Sequence, residues 1–180
     1  MELEKDYIIR LISPQDKIKG FKTGDATFQP LKTFLQNQAV DFQTALVAQT
    51  YVAILLNEEA KDTGKIIGFI TLTCSEVDLR NGYTIDDCPH ANKYDSLPAV
   101  KIARLAVDSR YRRKGIGETL VSLAVTIAIE IIAPQIGCRF LITDSKLQSI
   151  TFYERNGFIF LNTACNRIKD NPVMFMDLLM

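Results

Sequence analysis

Apolar residues recur along this chain with two different periods, and changes of period mark the predicted strands and helices. Runs rich in β-branched residues predict strands at 7–12, 51–56, 66–74, 99–107, 140–143, 158–161 and 173–179. Helical spacing predicts helices over 30–42, from Gly115 to Pro134, and from 147 to Gly157. The polar stretch 57–65 predicts a hairpin. The aperiodic stretch 77–97 predicts an extended loop, and loops of that length tend to be functional.

The longest predicted helix is apolar enough to raise the question of a membrane segment. Its polar residues recur every four positions and form one stripe: Glu118, Ser122, Thr126 and Glu130. The other faces are apolar, which is typical of a helix buried in a globular core. The apolar run is shorter than the ~20 residues that span a bilayer, and Pro134 is predicted to end it. We therefore expect no membrane partner.

Length and charge limit the partners further. The 180 residues fit one domain of ordinary size, expected to cover residues 1–180. Basic and acidic residues number 21 each, so the net charge of zero gives no general attraction to nucleic acid or membranes. The charges are unevenly placed, however. Positions 101–114 hold six basic residues and one acid, whereas 76–95 hold five acids against two basic residues.

The cysteines indicate the compartment and bear on metal binding. Four cysteines are widely spaced, form no Cys-x-x-Cys pair and follow no signal peptide, so reduced thiols and a cytoplasmic location are expected. Cys88 and His90 could supply two metal ligands, but a metal site needs three or four. His90 is the one histidine in the chain. We therefore predict no metal.

The most informative segment is 104–118, where an apolar strand runs into a basic, glycine-bearing turn that opens the long helix. A helix N-terminus presents backbone N–H groups without intrahelical partners and carries about half a positive charge, so it can bind phosphate. Gly115 and Gly117 would permit close approach of a ligand. Arg112, Arg113 and Lys114 add positive charge. The alternative is an ordinary strand-to-helix turn with a solvated basic run.

Two motifs resemble those of the GNAT superfamily of N-acetyltransferases. The spacing Arg112-x-x-Gly115-x-Gly117 after Leu-Ala-Val resembles the family's acetyl-CoA signature. Downstream, Phe152 to Phe158 reads Phe-Tyr-Glu-Arg-Asn-Gly-Phe and resembles the family's Phe-Tyr-x-x-x-Gly-Phe motif. The order of predicted elements also resembles the GNAT fold. The resemblance implies an α/β single domain with a central mixed β-sheet flanked by helices.

The resemblance also implies how the acetyl donor, acetyl-CoA, is bound. Backbone N–H groups at the end of the strand would bind the pantetheine arm and the thioester carbonyl, and stabilise the oxyanion of acyl transfer. The amides of residues 113–118 would bind the pyrophosphate. The implied coenzyme-binding residues are Leu105, Ala106, Val107, Arg112, Arg113, Lys114, Gly115, Ile116, Gly117 and Glu118. Lys146 and Ser149 depart from the Asn and Ala with which many members contact the coenzyme.

Tyr153 matches the family's catalytic tyrosine, which protonates the departing thiolate. A phenol can do this because its pKa of ~10 lies above the ~8.5 of a thiol. The alternative is a tyrosine packed in the core. A general base is not evident from the sequence: the candidates are Glu76, Asp78 and Asp144, and a chain of water molecules could serve instead.

The acceptor is an amine, and a finer resemblance suggests which one. Segments 21–24, 50–53, 97–108 and 171–176 resemble the GNAT toxins of bacterial toxin–antitoxin pairs. Those enzymes acetylate aminoacyl-tRNA, which implies tRNA as substrate and an antitoxin as partner. The candidates for phosphate contacts are then Lys101, Arg104 and Arg110. Lys101 and Arg104 are predicted to face opposite sides of the sheet.

Other functions stay open at this point. The neutral net charge argues against tRNA, because phosphate contacts dominate nucleic-acid affinity. A small-molecule or peptide amine is the alternative acceptor. A non-catalytic module that senses acetyl-CoA is a further alternative, and a homodimer is an assembly that the sequence allows.

Overall fold

The computed structural model describes residues 1–179, and their strands form one mixed sheet. The strands are β1 (Tyr7–Leu11), β2 (Gln49–Leu56), β3 (Asp62–Val77), β4 (Leu97–Val107), β5 (Phe140–Asp144), β6 (Ile159–Phe160) and β7 (Val173–Asp177). Their hydrogen-bonded order is β1-β2-β3-β4-β5-β7-β6. The β4–β5 pair is parallel, whereas β1–β2, β2–β3, β5–β7 and β6–β7 are antiparallel. The mixed α/β sheet predicted from the sequence is confirmed.

The helices of the described residues are α1 (Gln29–Asn37), α2 (Ala39–Thr44), α3 (Ile116–Thr126), α4 (Ala133–Ile136), α5 (Ile150–Arg155) and α6 (Ala164–Arg167). A π-helical segment, Ile127–Ile132, joins α3 to α4. The predicted hairpin is confirmed, and residues 57–61 connect β2 to β3. The predicted loop 77–97 contains a 3₁₀ turn at Pro89–Lys93 and otherwise has no helix between its flanking strands.

Two predicted features of the helices are wrong, and one short helix is missing from the prediction. The helix expected over 30–42 is two helices, because Gln38 leaves the helical region at φ −134° and ψ −27°. Pro134 does not end the long helix, which continues through it to Ile136; the π-helical segment Ile127–Ile132 directly before it is an irregularity of the kind that accompanies a proline within a helix. The helix ends instead before Gly137, which adopts φ +76°. The short helix α6 was not predicted at all.

The long helix is also less buried than expected. Its buried side is formed by Ile116, Leu120, Val121, Ala124 and Ala128. Near its C-terminal end Ile131 and Ile136 are 56% and 75% exposed. The 21 residues Ile116–Ile136 are long and apolar enough to cross a membrane by length and composition alone. The expectation that the helix is too short to span a bilayer is therefore wrong. The start of the helix nevertheless contacts β1, since the Tyr7 hydroxyl donates to Thr119 Oγ1 at 2.9 Å.

The chain forms two compact units, of which the first comprises Met1–Thr73 and Ala103–Leu123. In its core the rings of Phe21 and Phe69 pack edge to face, with centroids 5.8 Å apart. Gly68 on β3 lies beneath the start of α3. A Cβ at Gly68 would be 3.0 Å from Cγ2 of Ile116, so the glycine allows a close approach of helix to strand. This packing fixes the helix end that follows the basic turn.

The second unit comprises Cys74–Ile102 together with the described residues from Ala124 onward. Its core combines β4, β5 and β7 with the 77–97 loop. The Tyr83 ring packs edge to face on Phe140 and Phe175, at centroid distances of 6.2 and 4.9 Å. Val77 at the end of β3, and Leu79 and Ile85 of the loop, belong to the same core and are buried. The loop is therefore a packed part of the fold.

The buried carboxylate of Asp177 links separate parts of the second unit and makes its stability depend on pH. Asp177 accepts hydrogen bonds from Arg139 Nε at 2.9 and 3.0 Å and from the Tyr83 hydroxyl at 2.9 Å. Burial alone would raise the pKa of Asp177, but the hydrogen bonds from Arg139, the Leu179 amide and Tyr83 hold it below its usual range. A depressed pKa in the folded state stabilises the fold above the unfolded-state value of ~3.9.

We therefore expect Asp177→Asn to lower the free energy of unfolding at pH 7 by about 1–3 kcal/mol, because Arg139 loses its charged partner. The stability contributed by Asp177 is lost as pH falls below about 4 through the folded pKa, so the variant should lose less stability with acid than the wild type. Urea unfolding at pH 7 and pH 3 measures both effects. Asp95→Asn, at an exposed ion pair with Arg80, is the matched control. If Asp177→Asn and the wild type lost the same stability between pH 7 and pH 3, the proposed contribution of the Asp177 carboxylate would be contradicted.

Candidate active site

The turn after β4 is organised by Asp108, a residue that belongs to neither sequence motif. Its carboxylate is fully buried and accepts from the Lys22 amide at 2.9 Å, the Arg110 amide at 3.0 Å and Arg110 Nε at 2.9 Å. Burial would raise the pKa of Asp108, but these hydrogen bonds keep it below its usual range. The signal in the sequence is a single acid between an apolar strand and a basic run.

Arg112, the first residue of the acetyl-CoA signature, is held by the segment that leads into α1. Its guanidinium donates to the Thr23 carbonyl and lies 5.4 Å from the centroid of the Phe28 ring. The Arg112 side chain therefore links the turn to the segment before α1. It would affect ligand binding by positioning the turn, since its guanidinium already binds other parts of the protein.

The next residues give the turn its shape. Arg113 and Gly115 both have positive φ, +58° and +84°. Such a conformation is uncommon for a residue with a side chain, so Arg113 is strained. A Cβ at Gly115 would meet no atom within 4 Å, so glycine is required there by its backbone angle and not by crowding. The helix α3 begins at the next residue, Ile116, whose side chain is buried and anchors the helix end.

The turn thus presents the start of an eleven-residue helix to solvent. The first four N–H groups of an α-helix have no intrahelical acceptor, and the helix dipole makes this end positive. Arg113 and Lys114 are exposed beside it, and Glu118 is exposed in the first turn of α3. Gly117 is the second residue of α3. The chemistry of this end suits a phosphate or pyrophosphate group.

The end of β4 carries the residues expected to bind the thioester arm. The parallel register between β4 and β5 runs from Ala99↔Phe140 to Ile102↔Thr143. The strand continues for five residues past that register, through Leu105, Ala106 and Val107. These three residues are half-buried. A strand that continues beyond its ladder has backbone groups on one edge available to a ligand.

Tyr153 lies on α5 in the second unit and is 6% exposed. Its ring packs edge to face between Phe152 and Phe158, with both centroid distances 5.2 Å. Burial raises the pKa of Tyr153, and a hydrogen bond with the Thr143 side chain opposes this in part. The phenol therefore keeps its proton throughout the neutral range. Gly157 adopts φ +84° after α5, as the sequence predicts.

All three candidates for a general base line one pocket of the second unit. Glu76, Asp78 and Asp144 border a cavity of about 640 Å³. Asp78 is paired with Arg80 at 2.6 Å and Asp144 with Lys101 at 2.5 Å. Among residues 1–179 Glu76 has no ion-pair partner, and it accepts a hydrogen bond from the Ser96 hydroxyl at 2.7 Å. Glu76 is thus the carboxylate of this pocket whose charge is not balanced.

The three basic residues proposed for phosphate contacts are also engaged. Lys101 pairs with Asp144, and Arg110 pairs with Asp108 at 2.6 Å. Arg104 lies 5.2 Å from the centroid of the Phe34 ring. In the part of the chain that the structure describes, no three side chains of His, Cys, Asp or Glu form a group able to hold a metal.

The basic helix end suits the pyrophosphate of a coenzyme, and a buried phenol that keeps its proton can serve as an acid. Residues 24–158 match the Acetyltransferase (GNAT) family, and the chain belongs to that family. It is an N-acetyltransferase with acetyl-CoA as the acetyl donor.

Solved structures share this fold over almost the whole chain. A Tyr-to-Phe mutant of KacT aligns with a TM-score of 0.80 at 21% identity, covering 97% of this chain and 96% of that one. AtaT complexed with acetyl-methionyl-tRNAfMet aligns with a TM-score of 0.77 at 21% identity, covering 96% and 95%. A mutant AtaT toxin bound to acetyl-CoA and the C-terminus of the antitoxin AtaR aligns with a TM-score of 0.72 at 20% identity, covering 97% and 94%.

Proposed function

We propose that this enzyme acetylates the amine of aminoacyl-tRNA, and that residues 1–180 act as one acetyltransferase domain in the cytoplasm. The observation that carries the proposal is the likeness of nearly the whole chain to AtaT, whose structure contains acetyl-methionyl-tRNA. The four free cysteines suit a reducing compartment. We extend the proposal to an antitoxin partner, since AtaT binds one. A homodimer stays a prediction from the sequence.

In this proposal the turn before α3 binds the pyrophosphate of acetyl-CoA. The amides of residues 113–118 donate to it, and Arg113 and Lys114 add charge from exposed positions. Arg112 acts indirectly, because its guanidinium is bound to Thr23 and Phe28. Leu105, Ala106 and Val107 hold the thioester arm through backbone groups and stabilise the negative charge that develops on the carbonyl oxygen.

Tyr153 is proposed as the general acid. When the acceptor nitrogen attacks the carbonyl carbon of the thioester, the C–S bond breaks and sulfur takes the electron pair. The Tyr153 hydroxyl donates its proton to that sulfur, and its pKa, raised by burial, ensures that the proton is present at neutral pH. As the amide forms, the nitrogen releases its surplus proton to solvent, and the deprotonated Tyr153 recovers a proton from solvent before the next turnover.

The pocket beside Glu76 is proposed to receive the acceptor amine. An ammonium group must lose a proton before its nitrogen can attack, and a carboxylate is a suitable acceptor for that proton. Glu76 fits this role better than Asp78 or Asp144, because both of these are neutralised by a cation. A cavity of about 640 Å³ is large enough for an amino acid joined to part of a nucleoside.

A small-molecule or peptide amine is the second candidate acceptor, and the charges favour it. The net charge is zero, and Lys101 and Arg110 are each paired with a carboxylate. Fewer of the basic side chains are therefore free to bind tRNA phosphates than the count of lysines and arginines suggests. The same Glu76 pocket would receive this amine.

Salt dependence separates the two acceptors. Two phosphate contacts predict about a tenfold loss of affinity for charged tRNA between about 50 and 200 mM salt, whereas a small amine should respond little. The measurement is acetyl transfer to a panel of charged tRNAs and to small amines and peptides, at subsaturating acceptor and several salt concentrations. No transfer to any aminoacyl-tRNA, together with turnover on a small amine or peptide, would contradict the tRNA proposal and leave the acetyltransferase assignment intact.

A further inference from the structure

The aromatic ring of Tyr111 gathers two positive charges from separate parts of the first unit. The Lys65 ammonium on β3 donates to the Tyr111 hydroxyl at 2.9 Å and lies 5.3 Å from the ring centroid. The Lys114 ammonium, from the basic turn, lies 5.5 Å from the same centroid. Lys65 and Tyr111 are half-buried and Lys114 is exposed. We call these three residues the Tyr111 cluster.

No carboxylate balances the Tyr111 cluster. Among residues 1–179 neither Lys65 nor Lys114 takes part in an ion pair. Lys65 lies at the hydroxyl edge of the ring, because it donates to the hydroxyl, and each cation gains little from the ring at a partly exposed site. An anion with several acceptor oxygens would accept from both lysines, whose flexible side chains end beside the same ring.

We propose that the Tyr111 cluster binds a phosphate group, distinct from the pyrophosphate held by the helix end. Resting on the proposed function, the first source of that phosphate is the 3′-phosphate of acetyl-CoA. Lys114 directly precedes Gly115 in the pyrophosphate turn, and the 3′-phosphate is carried by the same ribose that the pyrophosphate joins. The second source with the same chemistry is a backbone phosphate of a nucleic-acid acceptor.

The test compares acetyl-CoA with its 3′-dephospho analogue in calorimetric titrations of the wild type and Lys65→Gln. If the coenzyme is the source, the wild type should bind acetyl-CoA about tenfold more tightly than the analogue, and Lys65→Gln should abolish most of that preference. Lys65→Arg keeps the charge and should retain the preference. Lys61→Gln is the matched control, because it removes the same charge from the same hairpin at an exposed side chain paired with Glu59.

A parallel arm measures binding of uncharged tRNA to the same variants over a range of salt. If a nucleic-acid phosphate is the source, Lys65→Gln should reduce the salt slope by about one and leave the coenzyme preference unchanged. Lys65→Gln with wild-type behaviour in both arms would overturn the phosphate site. Failure of the wild type to bind either coenzyme would instead refute the proposed coenzyme turn, so the two failures are distinguishable.

Discussion

Tyr153→Phe should reduce turnover by roughly 10²- to 10⁴-fold and leave the dissociation constant of acetyl-CoA nearly unchanged. The substitution removes one hydroxyl and keeps the ring, whose packing between Phe152 and Phe158 is the structural contribution of this residue. Without a proton donor the sulfur leaves as a thiolate, which raises the barrier of the step. Release of free thiol from acetyl-CoA measures turnover, and calorimetry measures binding.

The pH profile gives a second, independent measure of the role of Tyr153. Since burial raises its pKa above the ordinary value of ~10, loss of the Tyr153 proton should produce no fall in activity below about pH 10. Tyr94→Phe, which removes a hydroxyl from a 69% exposed tyrosine, is the matched control and should behave as wild type. A folded Tyr153→Phe enzyme with full turnover would show that the residue serves packing alone.

Gly117→Val should raise the dissociation constant of acetyl-CoA more than tenfold, equivalent to more than ~1.4 kcal/mol of binding free energy. Gly117 is the second residue of α3, in the helix end where the pyrophosphate is proposed to lie. A branched Cβ there occupies the space that the phosphate oxygens need to reach the amides. Calorimetric titration with acetyl-CoA measures the loss.

Valine also has a lower helix propensity than most residues, so a control for that effect is needed. Ser122→Val places the same side chain at an exposed position of α3, away from the turn, and should leave coenzyme affinity unchanged. If a folded Gly117→Val variant binds acetyl-CoA as tightly as the wild type, the helix end is not the coenzyme site.

The strands and the glycine-bearing turn were predictable because they depend on local pattern. Strand positions follow from apolar runs bounded by polar connections, and the basic turn is contiguous in sequence. The break at Gln38 was not predictable, since Leu31 to Phe42 keep a helical period across it. Tertiary packing overrides a periodic pattern at such points.

The charge balance of the candidate site depends on contacts between distant parts of the chain. The sequence identifies Glu76, Asp78 and Asp144 as possible bases but cannot rank them. Their ranking depends on which cation lies next to each one, and those cations come from other elements: Lys101 of β4 reaches Asp144 of β5. Contacts between residues distant in sequence therefore decide which carboxylate keeps an unbalanced charge.

Asp108 ties the basic turn to a segment far away in the sequence, and this has a thermodynamic consequence. Residues 108–112 form hydrogen bonds with residues 20–23: Asp108 with the Lys22 amide, the Ser109 amide with the Lys22 carbonyl, Arg110 with the Gly20 carbonyl and Arg112 with the Thr23 carbonyl. Two segments joined in this way are expected to open together, and a ligand that stabilises one of them makes the opening of the other less favourable. The entry to α1 and the turn before α3 thus form a single cooperative unit, and the amides of Lys22 and Ser109 report its local stability.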